Sequence, residues 1–198
     1  MSKFLEQLEN RRTIYHLGKN INQSKEELNS LILKSVELSP SAFNSQSSRV
    51  VILWSEHSNT VWNIAKEELK KLMPEDAFKS TSDKLDSFAS GVGTILFFED
   101  TDVIFNLQEQ FALYADNFPI WSEQSSGMAQ LSVWTALSEA GVGASLQHYN
   151  PLIDEKVKQN FDIPDSWKLR AQMPFGSIEQ PAGGKTFIPQ SERFKIFE

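Results

Sequence analysis

The sequence reads GVGTILFF over residues 91–98 and RVVILW over residues 49–54. Both runs are short, rich in β-branched and other apolar residues, and lack the polar alternation of a half-exposed strand. This pattern is typical of strands that are buried on both faces of a sheet. A further strand is predicted at Lys168–Phe175 and a shorter one at Val142–Gln147. The chain therefore contains a sheet of few strands.

Between these runs, apolar residues recur at helical spacing. Ser24 and Glu27 form a capping-box pattern that begins one helix, and Pro40 ends it. Gly141 suits the C-terminal end of a later helix. Helices are predicted at Phe4–Arg12, from Ser24 to Pro40, at Val61–Leu72, at Ser82–Ser90, from Asp102 (with Ile104, Leu107 and Phe111 inward) to a break at Pro119, at Ser122–Ala140, and after Asn150-Pro151 as N-cap and first helical residue.

Few strands and long helices in alternation indicate one α+β domain over residues 1–198. The sequence shows no internal repeat and no low-complexity linker. From Glu179 onward it is polar and interrupted by Pro and Gly, so this tail cannot fold on a core of its own. We therefore expect residues 179–198 to be an arm that wraps a partner subunit.

The composition excludes several kinds of chemistry. The chain has no cysteine and only three histidines, which removes thiol nucleophiles, thiolate metal sites and imidazole-rich metal sites. Its 19 basic and 26 acidic residues give a net charge of −7, which disfavours nucleic acid and anionic membranes. The apolar runs are too short to span a membrane, and the N-terminus lacks an apolar signal core. We therefore expect a cytoplasmic protein.

Sequence motifs with a known mechanism are also absent. Gly91-Val92-Gly93 and Gly141-Val142-Gly143 both lack the third glycine of a dinucleotide-binding fingerprint, so packing glycines are the better interpretation. No P-loop, HExxH or G-x-S-x-G element is present. Three options remain: catalysis by hydroxyls or carboxylates, a cofactor that supplies the reactivity, or no catalysis.

Three polar segments are candidates for ligand binding, although each has an ordinary structural explanation. Arg11-Arg12-Thr13 follows the first helix, where the helix dipole favours cations even without a ligand; alternatively, it presents a guanidinium fork to a phosphate. The loop Ser39–Ser47 carries small donors and acceptors that also suit a turn. Arg193 and Lys195 alternate with apolar residues, as in an edge strand protected by charge.

Taken in order, RRTIYHLG (11–18), PSAFNSQSS (40–48), GVGASLQHYNP (141–151) and AQMPFG (171–176) resemble the flavin-dependent nitroreductase family. The residues of these motifs are most similar to the family's branch of fatty-acid-repression-mutant and copper-induced nitroreductases. The resemblance covers essentially the whole chain. It implies a nitroreductase-like α+β subunit with a central mixed or antiparallel sheet flanked by helices. It also implies a homodimer with swapped C-terminal arms (179–198) and FMN at the subunit interface.

The resemblance assigns cofactor contacts by position. Residues implied to hold the FMN phosphate and ribityl chain are Arg11, Arg12, Thr13, Arg193 and Lys195. The loop implied to reach the ring from the other subunit contains Ser41, Ala42, Phe43, Asn44 and Gln46. The segments implied to lie beside the ring contain Gln147, His148, Tyr149, Pro174, Phe175 and Gly176. No side chain is assigned a catalytic role and no metal is implied.

Two positions depart from the family pattern. The family usually has Arg or Lys two residues after the Thr13 position, where it reaches the N1 and O2 edge of the ring, and here the residue is Tyr15. A phenol donates a hydrogen bond but supplies no positive charge, so we expect a lower flavin potential than in typical members. The family's common Trp or Pro after the Gln46 position is Ser47 here.

The implied activity is the FMN-dependent oxidation of NADH or NADPH with reduction of nitroaromatic or quinone-type acceptors. Ping-pong kinetics follow if one face of the flavin serves both substrates in turn. Phe43, Phe118, Trp121 and Tyr149 are candidates for stacking on the acceptor, with core packing as the alternative for Phe118 and Trp121. His148 either donates to an acceptor oxygen or makes a structural hydrogen bond.

Two other functions remain open from the sequence. One is a flavin-binding regulatory or stress-response protein, linked to lipid signalling or to metal or oxidative stress, whose turnover is incidental. The other is an α+β domain that binds no ligand. Fast oxidation of NAD(P)H with a nitroaromatic separates the enzyme from the regulator, and a yellow purified protein excludes the domain without ligand.

Overall fold

The computed structural model describes residues 2–198 and shows helices packed on a five-stranded sheet. The strands are β1 (Leu17–Gly18), β2 (Ser48–Trp54), β3 (Gly93–Asp100), β4 (Gly143–Ala144) and β5 (Trp167–Ile178). The strand order is β1-β5-β3-β2, with β4 also paired to β5, and every pairing between these strands is antiparallel. The predicted α+β class is confirmed.

The helices lie on both faces of the sheet. They are α1 (Lys3–Asn10), α2 (Lys25–Glu37), α3 (Glu56–Leu72), α4 (Glu75–Ala89), α5 (Thr101–Gln110), α6 (Phe118–Glu139), α7 (Asp154–Phe161) and α8 (Gln190–Arg193). Short 3₁₀ turns occupy Ala42–Asn44 and Ala112–Asn117. Within residues 2–198, no helix combines the length and the apolar character that crossing a membrane requires.

Helix boundaries follow from local chemistry at two predicted positions. The Ser24 side chain accepts from the Glu27 backbone N–H, and the Glu27 carboxylate accepts from the Ser24 N–H, so the capping box is complete. At the end of α6, Gly141 has φ +75°, a left-handed conformation that glycine adopts without steric cost. Both predictions are confirmed.

Strand β3 separates two apolar clusters. Ile95 and Phe97 pack with α2 and α6 on one face, and Leu96 and Phe98 pack with α3, α4 and α7 on the other. All four side chains are buried. Burial on both faces explains why this segment carries an unbroken apolar run instead of an alternating one.

Strand β2 differs from its prediction. Residues 49–54 were expected to be buried on both faces, but only Leu53 is fully buried. The reason is topological: β2 lies at the edge of the sheet and pairs only with β3 among the described residues. Its apolar residues are half-covered by the helices of this chain.

Two proline positions were interpreted wrongly. The helix that starts near Asp102 ends at Gln110, and Pro119 lies in the first turn of α6, where its missing N–H is tolerated. Phe111, expected to point inward, is 39% exposed. The Asn150–Pro151 peptide bond is cis, and α7 begins at Asp154 instead of at Pro151.

Two further elements have different lengths from those predicted. The helix expected at Ser82–Ser90 begins earlier, at Glu75, and the strand expected at Val142–Gln147 shrinks to Gly143–Ala144. Gln147 joins the sheet through a single bridge to Gln172. The tail after Ile178 is extended except for α8, and residues 183–198 are all exposed. Such exposure agrees with a tail that has no core of its own.

Candidate functional site

The arginine segment lies against the end of the sheet. After α1, the Ile14 N–H donates to the Ala144 carbonyl at 2.9 Å, and Thr13 forms a bridge with Ala144. Ala144 in turn pairs with Phe175, and Gly143 with Gly176. The fold therefore brings together two segments that the sequence predicted separately, residues 11–15 and residues 174–176.

A cleft of about 480 Å³ opens beside this segment. It is lined by Arg11, Arg12, Thr13, Tyr15, His16 and residues 180–185 of the tail. The Arg12 guanidinium donates to the Gly183 carbonyl at 2.7 Å, which attaches the start of the tail to the cleft. The volume lies in the range of small-molecule and cofactor sites.

The two arginines present unpaired positive charge. Neither Arg11 nor Arg12 forms an ion pair within residues 2–198. The Arg11 guanidinium lies 4.2 Å from the centroid of Trp134, and its Nε is buried with no hydrogen-bond partner among the described residues. Burial, and then the charge of Arg12, lower the pKa of Arg11. An anion with several oxygen acceptors would offset the repulsion between the two guanidinium groups and accept hydrogen bonds from them, and a phosphate is such an anion.

Tyrosines continue the site toward the sheet. The Tyr15 ring lies 6.1 Å from Phe88, and the Lys84 Nζ lies 5.4 Å from the Tyr15 centroid. Tyr149 packs edge-on to Trp62, and its backbone N–H donates to the Gln172 side chain at 2.7 Å. Burial, and then the nearby Tyr15, raise the pKa of the Tyr149 phenol. Tyr15 and Tyr149 therefore belong to the same part of the molecule.

Some residues that were predicted to lie beside the flavin ring make structural contacts within the chain. The Gln147 side chain is buried and donates to the Ser145 hydroxyl at 3.0 Å, whereas His148 is exposed. Pro174 and Phe175 are buried, and Phe175 packs against Trp54. A Cβ on Gly176 would lie 2.2 Å from the Gly18 carbonyl oxygen, so the close approach of β1 requires glycine there. Their contribution to a ligand site would come from backbone atoms and shape.

The loop Ser41–Gln46 lies elsewhere on the chain. It borders a cleft of about 320 Å³ formed with α2, α6 and the start of β2, and none of its residues lines the arginine cleft. Phe43, Asn44 and Gln46 have φ of +56°, +51° and +48°, which costs free energy for residues other than glycine. Strained backbone of this kind clusters at functional sites.

An aromatic cluster surrounds Phe43. It contains Phe43, Phe111, Tyr114, Phe118 and Trp121, with Phe43 and Trp121 stacked at 6.0 Å and an interplanar angle of 19°. An apolar cleft of about 410 Å³ opens beside Phe43, Trp121 and Met128. Tyr149 does not belong to this cluster. From the sequence, Phe111 was expected on the inward face of a helix and Tyr114 was not a candidate, although residues 111, 114, 118 and 121 follow helical spacing.

The two basic residues of the tail are not brought to the arginine cleft by this chain. Arg193 and Lys195 are exposed, and neither lines the cleft. Within this chain they therefore do not meet a ligand held by Arg11 and Arg12.

A buried carboxylate that the sequence analysis missed lies under the loop. Glu99 is fully buried at the end of β3, where it accepts hydrogen bonds from the Ser47 and Ser48 hydroxyls at 2.6 and 2.5 Å. Burial raises the pKa of Glu99, the two hydroxyls oppose this shift, Glu123 adds to it and Arg170 opposes it. No sequence signal marks Glu99, because Asp100 follows it and the two acidic residues look like the polar end of an apolar strand.

The raised pKa of Glu99 predicts how stability depends on pH. A group whose pKa is higher in the folded state stabilises the protein below its unfolded pKa, and this contribution is lost as the pH rises through the folded pKa. Glu99→Gln has no charge to bury, so its free energy of unfolding relative to wild type should increase as the pH rises above the usual titration range of a glutamate. Urea unfolding at each pH measures this. Glu37→Gln, at an exposed carboxylate, is the control; equal pH slopes for wild type and Glu99→Gln would contradict the prediction.

Comparison with known proteins identifies the fold. Residues 8–177 match the Nitroreductase family. The chain belongs to the nitroreductase family. HBN1 of Saccharomyces cerevisiae is 34% identical over 190 residues, which is 95% of this chain and 94% of HBN1. Membership makes this chain an oxidoreductase and confirms the resemblance stated from its motifs.

Two solved structures of the nitroreductase CinD from Lactococcus lactis are similar along the full chain. The complex of CinD with nicotinic acid is 54% identical, with a TM-score of 0.92 and coverage of 99% of this chain and 100% of CinD. The complex of CinD with 4-nitrophenol is 53% identical, with a TM-score of 0.90 and the same coverage. This nitroreductase therefore shares the CinD fold from end to end.

Proposed function

We propose that this nitroreductase is an FMN-dependent NAD(P)H oxidoreductase that reduces nitroaromatic or quinone-type acceptors by a ping-pong mechanism. The observation that carries the proposal is a pair of arginines, Arg11 and Arg12, that form no ion pair within residues 2–198 and that line a cleft of cofactor size. The FMN phosphate fits this position in charge and in hydrogen-bonding capacity.

The residues divide into a phosphate end and a ring end. Arg11 and Arg12 would hold the phosphate, with Thr13 adding a hydroxyl and Tyr15 lying toward the ring. Backbone atoms of residues 147–149 and 174–176 would border the ring, because most of their side chains are committed elsewhere. Bound FMN supplies hydride acceptance from NADH or NADPH and delivery of electrons to the acceptor, which no side chain of this protein provides.

The active unit in this proposal is a homodimer. The arginine cleft and the loop Ser41–Gln46 lie apart within one chain, and the tail that carries Arg193 and Lys195 is exposed. A second subunit would supply the loop and the basic tail residues to each cleft. The exposed apolar side chains Ile196 and Phe197 of the tail favour burial against a partner. We place this dimer in the cytoplasm.

The acceptor would bind at the aromatic cluster. Phe43 and Trp121 offer flat apolar surfaces beside an open cleft, which suits a planar nitroaromatic. The complex of CinD with 4-nitrophenol, at 53% identity over the whole chain, supports this class of acceptor.

Steady-state kinetics test the proposal. NADH or NADPH oxidation should depend on 4-nitrophenol, and double-reciprocal plots at several donor concentrations should be parallel, as ping-pong turnover requires. Intersecting lines would contradict the ping-pong mechanism. Flavin that nicotinamide reduces only over many minutes would contradict the enzyme and favour the flavin-binding regulatory protein.

The charges at and near Tyr15 lead to a prediction for the midpoint potential of bound FMN. Tyr15 supplies no charge at a position where the family usually has Arg or Lys, but the Lys84 ammonium lies over its ring. Tyr15→Arg should raise the midpoint potential of bound FMN, and Lys84→Met should lower it, by tens of millivolts; roughly 30 mV corresponds to a tenfold change in relative affinity for a two-electron couple. Redox titration measures both. Lys79→Met, on the same helix, is the control, and an unchanged potential in Tyr15→Arg would contradict the prediction.

A further inference from the structure

The loop Ser41–Gln46 needs anchors because its backbone is strained. Three of its six residues have positive φ. Its internal hydrogen bonds run from the Asn44 N–H to the Ser41 carbonyl, from the Ser45 N–H to the Ala42 carbonyl and from the Gln46 N–H to the Ser41 hydroxyl, each 3.0 Å, with a longer one of 3.5 Å from the Gln46 side chain to the Asn44 carbonyl. Strained conformations persist only where the surroundings hold them. The contacts of the residues immediately after the loop therefore help to hold its conformation.

Glu99 supplies those contacts. It pairs with Ser48 in the β2–β3 register, and its carboxylate accepts from both Ser47 and Ser48. Glu99 and Ser47 are 0% and 1% exposed, so water does not replace the hydrogen bond between them. Arg49, the next residue, donates to the Gln46 carbonyl at 2.6 Å and to Asp100 at 3.0 Å. The end of the loop is thus attached to the end of β3.

Burying a carboxylate costs free energy, because the charged group loses its contact with water. An apolar side chain at this position would avoid the cost of removing a charge from water. The cation near Glu99 is Arg170, which contacts Glu123, so this arginine is shared between two carboxylates. What a carboxylate offers here, and an apolar side chain does not, is the acceptance of two directed hydrogen bonds from consecutive hydroxyls. Directed bonds of this kind define one loop conformation.

We propose that Glu99 is a positioning residue for the flavin-contacting loop: its buried carboxylate anchors Ser47 and Ser48 and thereby holds residues 41–46 in the conformation in which Phe43, Asn44 and Gln46 are left-handed. The inference rests on the proposed function, in which this loop reaches FMN. It also explains the departure from the family pattern at Ser47, because a Trp or Pro at this position could not donate a hydroxyl to Glu99.

The test measures loop order and FMN affinity separately. Amide hydrogen exchange at Asn44, Ser45 and Gln46 in the full-length apoprotein reports the loop, and FMN fluorescence titration reports affinity. Ser47→Ala should speed exchange at these amides and weaken FMN binding, each roughly tenfold, the effect of losing one buried hydrogen bond. Glu99→Gln keeps one accepting oxygen and replaces the other by a donor, so its exchange rates and FMN affinity should fall between those of wild type and Ser47→Ala.

Ser58→Ala is the matched control. Ser58 is as buried as Ser47 and bonds Thr94 at 2.7 Å, on α3 and away from the loop. It should lower the global unfolding midpoint about as much as Ser47→Ala while leaving loop exchange and FMN affinity unchanged. Normal loop exchange in Ser47→Ala would overturn the anchoring role. Faster exchange with wild-type FMN affinity would overturn the link to flavin.

A failure of the proposed function gives a different result. If the wild-type protein bound no FMN, the proposed cofactor would be wrong. Exchange rates in the apoprotein would still decide whether Glu99 and Ser47 anchor the loop.

Discussion

Arg11→Ala is expected to weaken FMN binding by roughly 10- to 100-fold, because charge-assisted hydrogen bonds contribute about 1.5–3 kcal/mol. Arg11 is the arginine whose Nε is buried without a partner and whose guanidinium is held over Trp134. The purified variant should be nearly colourless, and fluorescence titration with FMN measures the loss of affinity.

Two variants make the Arg11 result specific. Arg11→Lys keeps the charge but not the planar fork, so its affinity should fall between those of wild type and Arg11→Ala. Lys34→Ala removes an exposed positive charge on α2 and should leave affinity unchanged. If Arg11→Ala retained wild-type FMN affinity, the phosphate would have to bind elsewhere, and the assignment of the cleft would be wrong.

A heterodimer of two defective chains is expected to recover one working site. Arg11→Ala removes the phosphate contact. Asn44→Val disrupts the loop, because a β-branched residue strongly disfavours the φ of +51° found there. If each site takes its arginines from one subunit and its loop from the other, a heterodimer has one intact site and one doubly defective site. Its FMN content and NAD(P)H turnover should be about half those of the wild-type dimer.

Each homodimer should have little activity, so the recovery is easy to see. Two affinity tags allow the heterodimer to be purified, and sedimentation and circular dichroism confirm that all forms are folded dimers. If the arginines and the loop served the same subunit's site, every site in the heterodimer would carry one defect. Activity no higher than that of the two homodimers would therefore contradict the shared site.

Elements defined by local chemistry could be predicted from the sequence. The capping box at Ser24 and the glycine at 141 act through neighbouring backbone groups, so their effect does not depend on the rest of the fold. The fully apolar run of β3 also predicted its own burial. Elements whose state depends on distant partners could not be predicted. The edge position of β2, for example, follows from the strand order.

The candidate site divides in the same way. Arg11, Arg12 and Thr13 were found from the sequence because charge and hydroxyls form a contiguous segment. Glu99 was missed because its meaning comes from Ser47 and Ser48, about fifty positions away in the chain, across a strand pairing. Phe111 was predicted to point inward from a helix, and Tyr114 was not a candidate. Their spacing places them on one face, but their contact with Phe43 depends on where the loop Ser41–Gln46 lies in the fold.

The central claim is that this nitroreductase binds FMN and reduces it with nicotinamide. The most direct measurement is the visible spectrum of the protein, reconstituted with FMN and freed of excess flavin, before and after anaerobic addition of NADH or NADPH. The account predicts about one FMN per chain, bleaching of the flavin absorbance within seconds, and its recovery when 4-nitrophenol is added after the nicotinamide is removed. A protein that retains no FMN, or whose flavin absorbance does not respond to either nicotinamide, would contradict it.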